Sequence, residues 1–152
     1  MPLEHAPFSK GEYERRIAKT RAAMAKAGID VLYASDPSNQ AWLTGYDGWS
    51  FYVHQGVILG LDGDPIWWGR MQDTNGGRRT VWMEDGQVQG YSDHYVQNPV
   101  EHPMEDLARR FRDMGHGNAQ IGVEMENYYY TAKAHAVLTA ELPNANFVDA
   151  TA

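Results

Sequence analysis

Cysteine is missing from this sequence altogether. That excludes a disulfide framework, a thiol nucleophile and any thiolate metal site. It is compatible with a reducing compartment without establishing one. Long apolar runs are missing too, and none approaches the roughly 18 residues a membrane-crossing helix needs. The N-terminus carries Glu4 and His5 where a secretory signal would have a basic and then an apolar segment. Positive charge is scarce, with 13 Lys and Arg against 20 Asp and Glu and a formal charge of −7. That balance argues against unspecific binding to nucleic acid or an anionic membrane, and it suits a soluble cytoplasmic protein. Internal repeats and low-complexity tracts are absent, which argues against solenoids and arrays.

Aromatic residues, by contrast, are plentiful. Five Trp and nine Tyr are present, and several fall in segments that read as loops, more than a core requires. A chain of 152 residues with 43% hydrophobic content is read as one domain, 1–152, with enough apolar surface for a sizeable core.

The stretch Ser35 to Trp49 organises the chain. Asp36 suits a helix N-cap, because its carboxylate accepts backbone N–H groups two or three residues on. Pro37 follows at the first helical position, where no N–H is needed. Gly45 supplies the left-handed residue that ends a short helix. Before this stretch, Ser9 and Glu12 form a capping box. Tyr13, Ile17, Ala18, Arg21, Met24 and Ala25 then make the apolar stripe of a helix over 10–27, stopped by Gly28. Residues 29–34 form a short strand whose continuous apolar character calls for a parallel neighbour. Residues 1–7 read as a loose arm.

After the organising stretch, a strand is expected from Phe51 to Leu59, with a turn at Asp62-Gly63-Asp64 and a returning strand over 65–68. Gly69 to Arg79 is polar and glycine-rich, a loop or short irregular helix, with a helical turn at 80–83. Asp85-Gly86 is a turn and 88–91 a strand. Met104 to Met114 carries a helical apolar face, 121–123 is a strand, Thr131 caps a last helix, and Phe147-Val148 is a final strand. This alternation predicts an α/β layer structure with a mixed sheet flanked by helices.

The same residues carry a resemblance. Asp36-Pro37-Ser38-Asn39 followed by Trp42-Leu43-Thr44-Gly45-Tyr46 resembles the N-terminal domain of the creatinase/prolidase (pita-bread) hydrolases. The run from Gly45 to Gln55, with Trp67-Trp68-Gly69-Arg70 and Asp93 to Gln97, most resembles the ectoine-hydrolase branch. The resemblance covers about 8–151. It implies a ribonuclease-H-like sheet of about six strands, and a C-terminal catalytic domain that this chain lacks. The family's linker to that domain begins near Val148 to Thr151.

Candidate chemistry within the chain is thin. The six histidines, His5, His54, His94, His102, His116 and His135, spread over separate segments with no i, i+4 pair, so no metal site is expected here. Metal-using relatives take their ligands from the catalytic domain, so any divalent metal belongs to it. No serine sits in a Gly-x-Ser-x-Gly elbow. Glu124 and Glu126 fit either a carboxylate pair for acid–base work or, as the ordinary reading, a solvated loop pair. Arg78-Arg79 fits an anion grip or a plain surface pair. Gly76-Gly77 lacks the strand–glycine–helix context of a phosphate loop.

The constellation with most chemical content is Trp49, Tyr52, His54, Trp67, Trp68, Arg70 and Asp73. On a strand, Tyr52, His54 and Gly56 would share one face. Aromatic faces attract cations and Arg pairs a carboxylate, so the set suits a small zwitterion. Tryptophans that only fill a core or a subunit interface are the alternative. In creatinase-like relatives this region reaches across a dimer to the partner's active site. The resemblance therefore implies a non-catalytic domain that serves homodimerisation and completes the partner's substrate pocket, with His54, Arg70, Trp49, Tyr52 and Asp73 as the substrate-facing residues. The parent would hydrolyse a C–N bond. The N-terminal domain of a Xaa-Pro dipeptidase and a stand-alone small-ligand-binding module remain the other readings.

Overall fold

Ser9 and Gly28 bracket the first helix as their chemistry requires. The structure, a computed structural model, describes residues 6–152; most of the expected N-terminal arm, with His5, lies outside the described residues. In α1 (Lys10–Ala27) the Ser9 side chain accepts the Glu12 amide at 3.3 Å, and Gly28 closes the helix at φ 71°. The Glu12 carboxylate does not reach back to the cap. It turns to the Arg15 and Arg16 guanidinium groups instead. The buried face is also narrower than the expected stripe. Ala18 and Ala25 are exposed, and Arg16 is buried. Arg16 tolerates burial because Glu12 and the Trp42 carbonyl accept from it, and because the Phe8 ring lies 4.3 Å from its guanidinium carbon.

The chain then runs through β1 (Val31–Ala34) into α2 (Pro37–Thr44). The Asp36 carboxylate accepts the Asn39 amide at 3.0 Å, and Gly45 ends the helix at φ 81°. β2 (Gly56–Gly60) and β3 (Ile66–Arg70) form the hairpin, turned at Gly63 with φ 74°. The glycine-rich segment after β3 is ordered: a 3-10 turn at 71–73 leads into α3 (Thr74–Thr80). The helical turn expected at 80–83 does not form. Val81, Trp82 and Met83 are irregular and buried. Trp82 uses its amide and its indole N–H to satisfy the Thr44 and Leu43 carbonyls at the end of α2, both at 3.0 Å, groups that a helix end leaves unpaired.

β4 (Val88–Tyr91), α4 (Pro103–Asp113), β5 (Gln120–Val123), α5 (Ala132–Glu141) and β6 (Asn146–Asp149) complete the fold. The six strands make one mixed sheet in the order β4-β3-β2-β1-β5-β6. β2 is antiparallel to both of its neighbours, and the other pairs are parallel. The α/β class and the six-stranded mixed sheet read from the sequence are what the structure has. Trp67 and Trp68 alternate across β3 into the two cores. Trp67 belongs to the core that holds Tyr13 and Leu43 and packs on Tyr46, while Trp68 belongs to the core that holds Leu107 and Phe111 and packs on Tyr91. Both are fully buried at 0% exposure. These two members of the expected constellation are core residues.

Candidate functional site

The aromatic segment between α2 and β2 is not the strand expected from Phe51. Residues 46–55 form an irregular loop, and the ladder starts at Gly56, opposite Trp68. Side chains take the backbone groups a strand would have used. Tyr91 donates its hydroxyl to the His54 carbonyl at 2.8 Å. Tyr33 and Gln40 donate to the Gln55 carbonyl at 3.1 and 3.3 Å. The Val53 amide donates to the Ser50 hydroxyl. Gly56 itself lies so close to the Tyr33 ring that a Cβ would sit 2.2 Å from it. With no pleat before Gly56, the shared face expected for Tyr52, His54 and Gly56 does not exist.

The loop instead turns its rings outward. Trp49 is 58% exposed, Phe51 73% and Tyr52 52%. Their rings lie in series, with centroids 5.7 Å apart for Trp49–Phe51 and 5.1 Å for Phe51–Tyr52. The Trp49 indole N–H donates to the Tyr129 hydroxyl, which fixes the loop to the segment after β5.

Two hollows flank Tyr52. The first, about 440 Å³, is lined by Tyr46, Trp49, Phe51, Tyr52, Gln55 and Asp73 among others. Gln55 donates its side-chain amide to one Asp73 carboxylate oxygen at 2.9 Å. The second, about 190 Å³, is lined by Tyr52, His54, Tyr91, Tyr95, Glu101 and His102 among others. The residues expected from sequence are therefore divided. Trp49, Tyr52 and Asp73 meet at the first hollow, His54 joins Tyr52 at the second, and Arg70 lines neither. The Arg70 guanidinium donates to Asp93 at 2.8 Å and to the Tyr52 hydroxyl at 3.0 Å. Its fork is occupied within the domain and braces the loop from behind.

His54 is not poised to switch near neutral pH. Burial first, then the neighbouring His102, whose ring centroid lies 5.0 Å away, push its imidazole down to about 4, against the Tyr129 carbonyl, which favours the charged form. At neutral pH it is an uncharged donor or acceptor.

A third hollow, about 210 Å³, was not foreseen. It is lined by Asn39, Trp42, Leu43, Ala34, Glu124 and Thr151 among others, at the C-terminal ends of the parallel strands β1, β5 and β6. Glu124 is not a solvated loop carboxylate: it is only 3% exposed. Its oxygens accept the Asp36 backbone amide at 3.0 Å and the Asn39 side-chain amide at 2.6 Å. The Asn127 amide adds a bond to Asp36 at 3.0 Å. The available signal was positional: Asp36 and Glu124 each follow an apolar strand, and parallel pairing brings such ends together.

Among the described residues no three His, Asp or Glu side chains gather so as to hold a metal ion. No described helix is long and apolar enough to cross a membrane.

Comparison with known proteins agrees with this fold. The Creatinase/Prolidase N-terminal domain family matches residues 16–152. The chain is 57% identical over 145 residues to the ectoine hydrolase of Halomonas elongata, covering 95% of this chain and 36% of that protein. It is 39% identical over 144 residues to an uncharacterized hydrolase/peptidase of Sinorhizobium fredii, covering 94% of this chain and 37% of that one. The chain thus spans about a third of the length of the curated relatives it matches. Among solved structures, the creatinase/prolidase N-terminal domain of an X-Pro dipeptidase from Streptococcus pyogenes superposes with a TM-score of 0.70. That match has 17% identity and covers 90% of this chain and 94% of that one. A proline dipeptidase from Streptococcus pneumoniae gives 0.69 at 18% identity, with 89% and 90% covered. At such identities these two matches speak for the fold alone.

Proposed function

This chain belongs to the creatinase/prolidase N-terminal domain family, and we propose that it is the non-catalytic N-terminal domain of an ectoine-hydrolase-like enzyme. In that reading the domain pairs subunits, and its aromatic loop completes the substrate pocket of the partner subunit. Trp49, Tyr52, Asp73 and His54 face the substrate, and Arg70 positions the loop. The reaction itself, hydrolysis of a C–N bond, belongs to a catalytic domain, with any metal it uses. The identity of 57% to an ectoine hydrolase supports that branch over the Xaa-Pro dipeptidases. The setting proposed is the cytoplasm, in keeping with the acidic composition.

The observation that carries the reading is the exposed loop. A segment with three outward rings in series costs hydrophobic surface exposure that a domain with no partner has no reason to maintain. The domain should also be inert alone. Purified chain assayed against ectoine and Xaa-Pro dipeptides, with and without Mn²⁺, should show no turnover above buffer; robust turnover would sink the reading. The trans arrangement is tested in the full-length enzyme. A subunit carrying Trp49→Ala is mixed with one disabled in its catalytic domain. The intact loop of the disabled subunit then meets the competent site of the other, so heterodimers should regain part of the activity. Absence of any recovery in verified heterodimers rules out action across the dimer.

A further inference from the structure

The hollow beside Trp49 has a one-sided charge. Of the side chains that line it, only Asp73 carries formal charge, and none is Lys or Arg. Asp73 sits on the 3-10 turn between β3 and α3. Gln55 donates to one of its oxygens at 2.9 Å, and Gln55 is itself buried, with its backbone carbonyl held by Tyr33 and Gln40. The carboxylate is thus oriented by a fixed neighbour. Its other oxygen accepts no hydrogen bond from the described residues. The Arg70 guanidinium, at the end of β3, donates to Asp93 and to the Tyr52 hydroxyl, and Arg70 is not part of the lining.

The walls suit the same charge. Trp49, Phe51, Tyr52 and Tyr46 present aromatic surface, and ring faces attract cations. Burial above all, with the Asp73 charge adding to it, pushes the Tyr46 hydroxyl up to about 12, so it stays neutral. A volume of about 440 Å³ falls within the range of small-molecule sites, roughly 300–1,000 Å³. An anion would meet an uncompensated carboxylate, and a neutral ligand would leave that carboxylate unmatched.

We propose that this hollow is a subsite for a compact organic cation, an ammonium or amidinium group, received by the free oxygen of Asp73 and the faces of Trp49 and Tyr52. This deepens the reading above by assigning a charge to the part of the substrate that the loop receives, and it rests on that reading only for the catalytic use of the site. Binding is a property of this chain alone.

The test is a titration of the isotopically labelled chain followed by amide and indole N–H resonances at fixed ionic strength. The probes are acetamidinium, its neutral counterpart acetamide, and acetate. Acetamidinium should give saturable shifts at the Trp49 indole and at amides of residues 49–55 and 73. Acetamide should bind at least tenfold more weakly, and acetate should leave these signals unmoved. Asp73→Asn should weaken the acetamidinium response tenfold or more, with the thermal melt checking the fold. Equal response to acetamide, shifts confined to other surfaces, or a folded Asp73→Asn chain that binds as before would overturn the subsite. Should the variant not fold, the contrast among the three probes on the unaltered chain decides alone. Cation binding that persists while subunit mixing restores no activity would remove the action across the dimer and leave the subsite standing; the converse result would do the opposite.

Discussion

Glu124, at the end of β5, holds the first turn of α2 through Asp36: one carboxylate oxygen accepts the Asp36 backbone amide at 3.0 Å while the other takes the Asn39 side-chain amide at 2.6 Å. Strand and helix are 88 residues apart in sequence at this contact. Burial pushes the Glu124 carboxyl above its ordinary value of 4.5. The hydrogen bonds from Asp36 and Asn39 oppose that rise, and the Asp36 charge adds to it. A carboxyl raised in the fold keeps its proton longer than the unfolded chain does. Its contribution to stability is therefore full below 4.5 and is lost as pH rises through the folded value. Urea unfolding at steps between about pH 4 and 7 should show a shallower decline for Glu124→Gln than for the unaltered chain. Glu124→Ala leaves two donors unpaired and should cost about 1–3 kcal/mol near neutrality. Parallel pH profiles for the two chains would contradict this account.

Gly45 is confined twice. Its backbone sits at φ 81°, and a Cβ there would lie 2.8 Å from the Tyr13 hydroxyl and 3.0 Å from the Thr80 carbonyl. Gly45→Val should cost about 2–4 kcal/mol, combining left-handed strain with overpacking. The thermal midpoint is the measurement. Tyr13→Phe removes one of the two obstacles, so the double variant should recover part of the loss. A valine variant that melts with the unaltered chain would mean this turn is not where the fold is constrained.

His54 has its ordinary value of 6.5 lowered to about 4. The unfolded chain takes up a proton below 6.5 that the folded chain refuses until about 4. Stability drawn from neutral His54 is therefore present above 6.5 and falls away as pH drops through that window. The ring resonances should titrate with a midpoint close to 4, and His102→Ala should raise it by removing the neighbouring imidazole. A midpoint near 6.5 would show a hydrated His54.

Arg70 braces Tyr52 from behind, with its partner Asp93 largely in solvent. Exposed ion pairs contribute little, so Arg70→Ala should change global stability by less than about 1 kcal/mol. Hydrogen exchange at residues 50–53 should quicken nonetheless, because the loop loses its anchor. In the full-length enzyme the same change should lower kcat/KM about tenfold, roughly 1.4 kcal/mol of transition-state binding. Unaltered exchange with a large fall in melting temperature would make Arg70 a purely structural residue.

Much of the fold was legible because its signals are local. The caps at Ser9, Asp36 and Thr131, the left-handed glycines at 28 and 45, and the proline that opens α2 each act within a few residues. The aromatic loop was misread for the reverse reason. Phe51 to Leu59 has the composition of a strand, but Tyr33, Gln40 and Tyr91, far along the chain, claim the carbonyls of residues 54 and 55. Arg16 and Trp82 show the same limit: an arginine outside the expected apolar stripe is buried, and the helical turn expected at 80–83 does not form, because partners on α2 accept their hydrogen bonds.

By itself the sequence determined the alternation of helices and strands, and hence an α/β sheet of mixed direction, since capping, turn chemistry and hydrophobic period are properties of neighbouring residues. It also determined which residue types were at hand for a site: aromatic rings, an imidazole, an arginine and a carboxylate. Only the tertiary structure decided how they were shared out. It sent Trp67 and Trp68 to opposite cores, tied Arg70 to Asp93, kept His54 neutral, buried Glu124 against Asp36, and left Asp73 facing the rings of the loop. Those outcomes depend on which distant donors and acceptors meet once the sheet has formed. Burial then sets the cost of every charge that lacks a partner.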